Sequence, residues 1–192
     1  MKSLVEYLSE NKKDISIVFT GFEPFNGRDE NESYNVAKEL NKDFSDSVAI
    51  ELPVEFDTVN NEIKKIFDKY SPKLLCMFGE HPGRKIKVEK FAKNRKCSTD
   101  IPDNNGETPL SQPVINNNKA FLGTNIEDID DICDKFDYRI SVDAKSFVCN
   151  TAYFDALNYV DDRNLSTKVI FIHVSQTEND TEKLKNFIKE LL

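Results

Sequence analysis

Apolar positions along the chain fall into two alternating patterns. Ile15-Ser16-Ile17-Val18-Phe19-Thr20, Leu74-Leu75-Cys76-Met77-Phe78 and Val169-Ile170-Phe171-Ile172-His173-Val174 are nearly continuous runs of β-branched, aromatic and apolar residues. Such runs predict strands buried on both faces. Val48 to Val54 alternates toward a further strand, and Tyr138 to Val142 reads as extended. Between these runs the apolar residues recur at helical spacing. Tyr34, Ala37 and Leu40 predict a helix over 33–40 capped by Asn31 or Ser33, and Phe56, Val59, Ile63, Ile66 and Phe67 predict one over about 56–69 that stops before Pro72. Helices are also expected at 126–136, at 149–161 through Ala152, Ala156, Leu157 and Val160, and at 178–192, with a short amphipathic lead-in at 3–13. Strands alternating with helices predict an α/β chain with a mostly parallel central sheet covered on both faces.

The middle, from Gly79 to about Gly123, breaks this rhythm. It holds His81-Pro82-Gly83-Arg84, a short apolar segment Ile86 to Phe91, the turn chemistry of Ile101-Pro102-Asp103-Asn104-Asn105-Gly106, and the polar run Asn116-Asn117-Asn118. A stretch of that length without clear periodicity is either a functional region or one whose elements periodicity misreads. The loop Gly21-Phe22-Glu23-Pro24-Phe25-Asn26-Gly27 is unusual in another way. It places two phenylalanines where loops are normally polar, so the rings must pack or bind something.

Length and composition narrow the class. At 192 residues, with 39% hydrophobic and 31% charged residues, the chain reads as one globular domain, 1–192. No apolar run approaches the roughly 18 residues of a membrane helix, and Met1 to Tyr7 lacks the apolar core of a signal peptide. A cytoplasmic location is expected. A net charge of -8 argues against a nucleic-acid partner. Cys76, Cys97, Cys133 and Cys149 are too widely spaced for a C-x-x-C metal or redox pair, so free thiols and no metal or cofactor are expected.

Candidate chemistry centres on Ser146-Phe147-Val148-Cys149-Asn150. The predicted helix begins at the cysteine, and unpartnered N–H groups and the helix dipole there favour a thiolate. Of the two histidines, His81 lies in a Pro/Gly turn and is expected to be exposed. His173 lies late in an apolar strand, at the end of the sheet where α/β proteins build sites. Together with Cys149 it forms a candidate nucleophile and base, with a third group needed to orient the imidazole.

Phe19-Thr20-Gly21-Phe22-Glu23-Pro24-Phe25, with Asn31 and Ser33 downstream, resembles the N-terminal signature of the pyroglutamyl peptidase I family of cysteine peptidases. Glu89-Lys90-Phe91-Ala92-Lys93-Asn94 resembles that family's glutamate motif, Ser141 to Asn150 its cysteine motif and Phe171-Ile172-His173-Val174 its histidine motif, while Ile101-Pro102-Asp103-Asn104 also matches. The resemblance implies a three-layer α/β/α sandwich, assembled as a homo-oligomer (a tetramer or dimer), that removes N-terminal pyroglutamate from blocked peptides. It makes Cys149 the nucleophile, His173 the base and Glu89 its orienting group. It assigns Phe22, Phe25, Phe147, Glu80 and Ile101 to substrate binding. The chain departs from the family pattern at Lys145, where glycine is usual, at Asp100, where arginine is usual, at Glu80, where glutamine is common, and in a Gly79-to-Glu89 link one residue short. These departures motivate two other readings, a catalytically impaired binding relative and a thiol hydrolase of altered N-terminal specificity. A carboxylate at Asp100 turned toward the thiol would disfavour the thiolate; Arg84, Lys85, Arg95 or Lys145 would offset it.

Overall fold

The three apolar runs lie side by side at the centre of the molecule. The structure, a computed structural model, describes residues 15–192; the lead-in expected at 3–13 lies outside the described residues. In chain order the elements are β1 (Ile17–Phe22), α1 (Glu32–Asn41), β2 (Ser47–Leu52), α2 (Val59–Tyr70), β3 (Leu74–His81), β4 (Lys87–Glu89), β5 (Phe91–Lys93), β6 (Lys96–Cys97), β7 (Leu110–Gln112), β8 (Phe121–Gly123), α3 (Ile129–Lys135), β9 (Arg139–Ser141), α4 (Val148–Asp162), β10 (Lys168–Ser175) and α5 (Thr181–Leu191). Six strands form the main sheet in the order β2-β1-β3-β10-β4-β9. All neighbours in it are parallel except β10 and β4, which run antiparallel.

Strand periodicity of two sorts the apolar residues into two cores. Ile17, Phe19, Leu74, Cys76, Phe78, Ile170 and Ile172 face α1, α3 and α5, where Val36, Leu40, Cys133, Leu184 and Phe187 meet them. Val18, Leu75, Met77, Val169 and Phe171 point the other way, onto Ile63, Ile66 and Phe67 of α2 and Ala152, Tyr153 and Ala156 of α4. The result is a three-layer α/β/α sandwich. The same parity carries His173, Gly79 and Glu89 onto the face covered by α4, because Val88 and Ile172 belong to the opposite core.

β3 and β10 run past their apolar stretches to His81 and Ser175, because backbone pairing continues in register through Gly79↔His173 and His81↔Ser175. The irregular middle contains strands that periodicity did not signal: β5 pairs with β8, and β6 with β7, in two small antiparallel sheets. At two or three residues each, they are too short to show a period, and partners 13 to 32 positions away define them.

Gly21 closes β1 against the start of α1. A Cβ there would lie 2.3 Å from Tyr34 Cα and 2.5 Å from Ser33 C, both backbone atoms that have no rotamer with which to yield. Gly21→Ala is therefore expected to destabilise the fold by about 3 kcal/mol or more, read as a lowered urea midpoint; an unchanged midpoint would refute the close packing of this turn.

Candidate active site

His173 and Glu89 come together where the sheet changes direction. Antiparallel pairing sets Phe171 opposite Glu89 and His173 opposite Lys87, so His173 and Glu89 are diagonal neighbours on one face. Their side chains meet at 2.7 Å between Nδ1 and Oε1. His173 is 8% exposed and Glu89 1%. Gly79 leaves room for the ring, since a Cβ there would approach Phe171 Cζ to 2.8 Å and His173 Cδ2 to 3.2 Å. Phe171 flanks the imidazole with ring centroids 5.0 Å apart, and the Tyr153 hydroxyl donates to the Glu89 carbonyl at 3.0 Å. With Nδ1 committed to Glu89, Nε2 is the nitrogen left for a reacting atom.

Cys149 is the second residue of α4, half-buried, and close enough to His173 to act on its proton affinity. Burial disfavours the imidazolium, but hydrogen bonding and charge from Cys149 and then Glu89 outweigh it and push His173 up to about 9. The N-cap residue is Phe147, which has no side-chain acceptor, so the first N–H groups of α4 keep their positive ends available beside the sulfur. Asn150 fixes this helix start. Fully buried, it accepts from Lys93 N at 2.8 Å and donates to Lys93 O and Arg95 O at 2.9 Å, which ties α4 to the strand that follows Glu89.

A narrow cleft opens beside the sulfur, lined by Phe22, Phe25, Asn31, Val54, Glu80, Phe147, Val148 and Cys149. Phe147 is held between Phe25 (5.7 Å between centroids) and the edge of Phe56 (5.4 Å). The aromatic loop is bracketed from both sides. Asn31 Nδ2 donates to Glu23 O at 2.9 Å and Ser33 Oγ accepts from Phe22 N at 2.9 Å. Glu23 Oε1 accepts from Val54 N and Asn104 Nδ2, while Asp103 Oδ2 accepts from Phe56 N. The Asp103-Asn104 turn thus acts as a clamp on the cleft walls.

The structure therefore brings Cys149, His173 and Glu89 together, with Phe22, Phe25, Phe147 and Glu80 around the adjoining cleft. Ile101 does not line it; that side chain is 39% exposed on the loop before the clamp. Asp100 is likewise exposed. His81 corrects the expectation of an exposed turn residue. It ends β3 at 9% exposure, donates from Nε2 to Lys85 O at 2.8 Å, accepts at Nδ1 from Gly83 N at 3.0 Å, and sets its ring 6.1 Å from that of His173. This arrangement is that of a neutral ring, and burial lowers its proton affinity. Extending β3 past its apolar run would have found it. Val54 and Phe56 read from sequence only as strand and helix positions, and Arg28, whose guanidinium pairs with Glu80, carried no signal at all. Lys145 adopts φ 66°, the left-handed region in which glycine is favoured, with its N–H donating to Asp143 Oδ1 at 2.9 Å. The backbone here thus takes the shape the family's glycine allows, with a lysine in place.

A family model described as pyroglutamyl peptidase matches residues 15–185. A pyrrolidone-carboxylate peptidase of Thermococcus kodakarensis is 33% identical over 167 residues, covering 83% of this chain and 81% of its own length. One from Enterococcus faecalis is 27% identical, covering 83% and 78%. Among solved structures, pyroglutamyl peptidase I of Bacillus amyloliquefaciens superposes with a TM-score of 0.80 at 22% identity over 91% of both chains, and the pyrrolidone carboxyl peptidase of Thermococcus litoralis with 0.79 at 23% identity over 90% and 89%. These two structural likenesses show the same fold.

In an NMR titration, His173 should titrate near pH 9 and His81 below the ordinary histidine value of about 6.5. Cys149→Ser should bring His173 down; an unmoved His173 would mean that the sulfur is not its partner. By linkage, the contribution of His173 to stability is full below about 6.5 and lost as pH rises through about 9. Lys145→Gly should raise stability by about 0.5–1 kcal/mol by relieving the left-handed lysine, measured as a higher thermal midpoint.

Proposed function

The chain belongs to the pyroglutamyl peptidase family, and from that premise we propose that it is a cysteine peptidase that removes an N-terminal pyroglutamyl residue from peptides. The observation that carries this reading is the buried His173–Glu89 pair beside a cysteine at an uncapped helix start, with an aromatic cleft next to the sulfur. A pyroglutamyl lactam is small and flat, and walls of Phe22, Phe25 and Phe147 suit it.

In this scheme the Cys149 thiolate attacks the pyroglutamyl carbonyl carbon and forms a C–S bond. Negative charge moves to the carbonyl oxygen, where N–H groups of the first turn of α4 hold it. His173 delivers a proton to the departing amine as the C–N bond breaks, leaving a thioester. It then takes a proton from water, which attacks the thioester and releases pyroglutamate. Glu89 holds the imidazole in the tautomer and direction this requires. The retained set of Cys149, His173 and Glu89 favours turnover over a binding role alone.

The proposal extends to a single peptidase domain over 1–192 that takes N-terminally blocked peptides, works in the cytoplasm and assembles as a homo-oligomer. Exposed Leu110, Phe121 and Val142 motivate the assembly. Among the described residues no helix is long and apolar enough to cross a membrane.

Release of aminocoumarin from a pyroglutamyl-coumarin substrate tests the reading. The wild type should turn the substrate over, Cys149→Ala should not, and Glu89→Gln should lower kcat by roughly 10²- to 10⁴-fold with KM changed little. A wild type no faster than Cys149→Ala would end the proposal.

A further inference from the structure

The cleft beside Cys149 has one charged wall. The Glu80 side chain is only 2% exposed. Its Oε1 accepts from the Arg28 guanidinium and from Gln176 Nε2 at 3.1 Å, and its Oε2 accepts from Glu32 N, at the start of α1, at 3.0 Å. The other polar lining side chain, Asn31, has both acceptor positions of Oδ1 filled by Ser33 N and Oγ, and one Nδ2 hydrogen donated to Glu23 O, so it offers the cleft no acceptor. A carboxylate accepts about four hydrogen bonds, so Glu80 retains acceptor capacity toward the cleft.

Taken alone, such a carboxylate among aromatic walls would select a cation. The five-membered ring of an N-terminal proline offers one, because its amine is protonated at neutral pH. A pyroglutamyl lactam has the same ring size and no charge, so shape separates the two poorly and charge separates them well. Arg28 supplies the compensating charge. It follows two left-handed residues, Asn26 at φ 54° and Gly27 at φ 71°, in a turn closed by Arg28 N donating to Phe25 O at 3.2 Å. That turn brings the guanidinium from the aromatic loop onto Glu80.

We propose that Arg28 is a specificity-determining residue: by pairing with Glu80 it leaves the cleft wall without net charge, so that the site selects a neutral five-membered lactam over the protonated five-membered amine of an N-terminal proline. The proposal rests on the cleft beside Cys149 being the substrate site. Neither Arg28 nor Gln176 touches the sulfur chemistry; they act through Glu80.

The test reads the cleft without requiring turnover. Cys149 is alkylated with iodoacetamide, followed by mass spectrometry of its peptide, in the presence of 2-pyrrolidone or of protonated pyrrolidine. Wild type should be protected by pyrrolidone and hardly by pyrrolidinium. Arg28→Gln, which keeps a donor for Glu80 but removes the charge, should shift the ratio of the two protection constants toward pyrrolidinium by about tenfold or more. Arg28→Gln/Glu80→Gln should abolish pyrrolidinium protection, and Arg28→Lys should behave as wild type. A wild-type far-UV circular dichroism spectrum and a cooperative thermal transition verify that each variant is folded. Wild-type selectivity in Arg28→Gln, or pyrrolidinium protection that survives in the double variant, overturns the proposal. Lactam selectivity in a chain that releases no coumarin would count against the peptidase reading alone.

Discussion

A buried imidazole held by a buried carboxylate is the constraint on which the rest of the structure depends. Putting Glu89 at 1% exposure costs desolvation that only a close, well-aligned partner offsets, and the 2.7 Å contact with His173 provides one. Glu89 Oε2 has no hydrogen-bond partner among the described residues, so the single contact through Oε1 carries the compensation. The pair exists because β4 runs against β10: the antiparallel register makes residues 89 and 173 diagonal neighbours on the face that α4 covers. Gly79 then clears the space into which the imidazole leans.

Around that pair, the polar contacts serve mainly to fix backbone. Asn150 ties the helix of Cys149 to the segment after Glu89, so the cysteine and the carboxylate cannot drift apart independently. His81, with both ring nitrogens engaged by the 83–85 turn, sets a neutral ring beside His173. On the other side, Glu23, Asp103 and Asn104 hold the aromatic loop against β2 and the residues that follow it. Two departures from the family pattern thereby acquire physical content. Lys145 occupies a left-handed backbone position, and Glu80 is a carboxylate whose charge Arg28 and the start of α1 offset.

Much of this was legible in the sequence. Apolar runs marked β1, β3 and β10 because a strand buried on both faces has no polar positions to interrupt it. Helical spacing marked α1, α2, α4 and α5 to within a few residues, and the order of the elements implied a mostly parallel sheet. Cys149 was legible as a residue at a helix start, and His173 as a polar residue late in an apolar strand. Glu89 was legible only through its motif; its own surroundings, charged and short, read as surface. Strands β5 to β8 were not legible, because each is defined by a partner far along the chain rather than by its own period.

By itself, then, the amino-acid sequence determined which residues could be buried and which elements they would form, since those properties follow from local periodicity and side-chain chemistry. Tertiary structure alone decided who meets whom. It turned β4 against the sheet and so gave His173 its carboxylate, buried His81 instead of leaving it in solvent, left Ile101 outside the cleft, and drew Arg28 from an exposed loop onto Glu80. Each of these depends on strand order, register or a turn's handedness, which are set by contacts across 50 to 100 residues of chain and leave no trace in any local pattern.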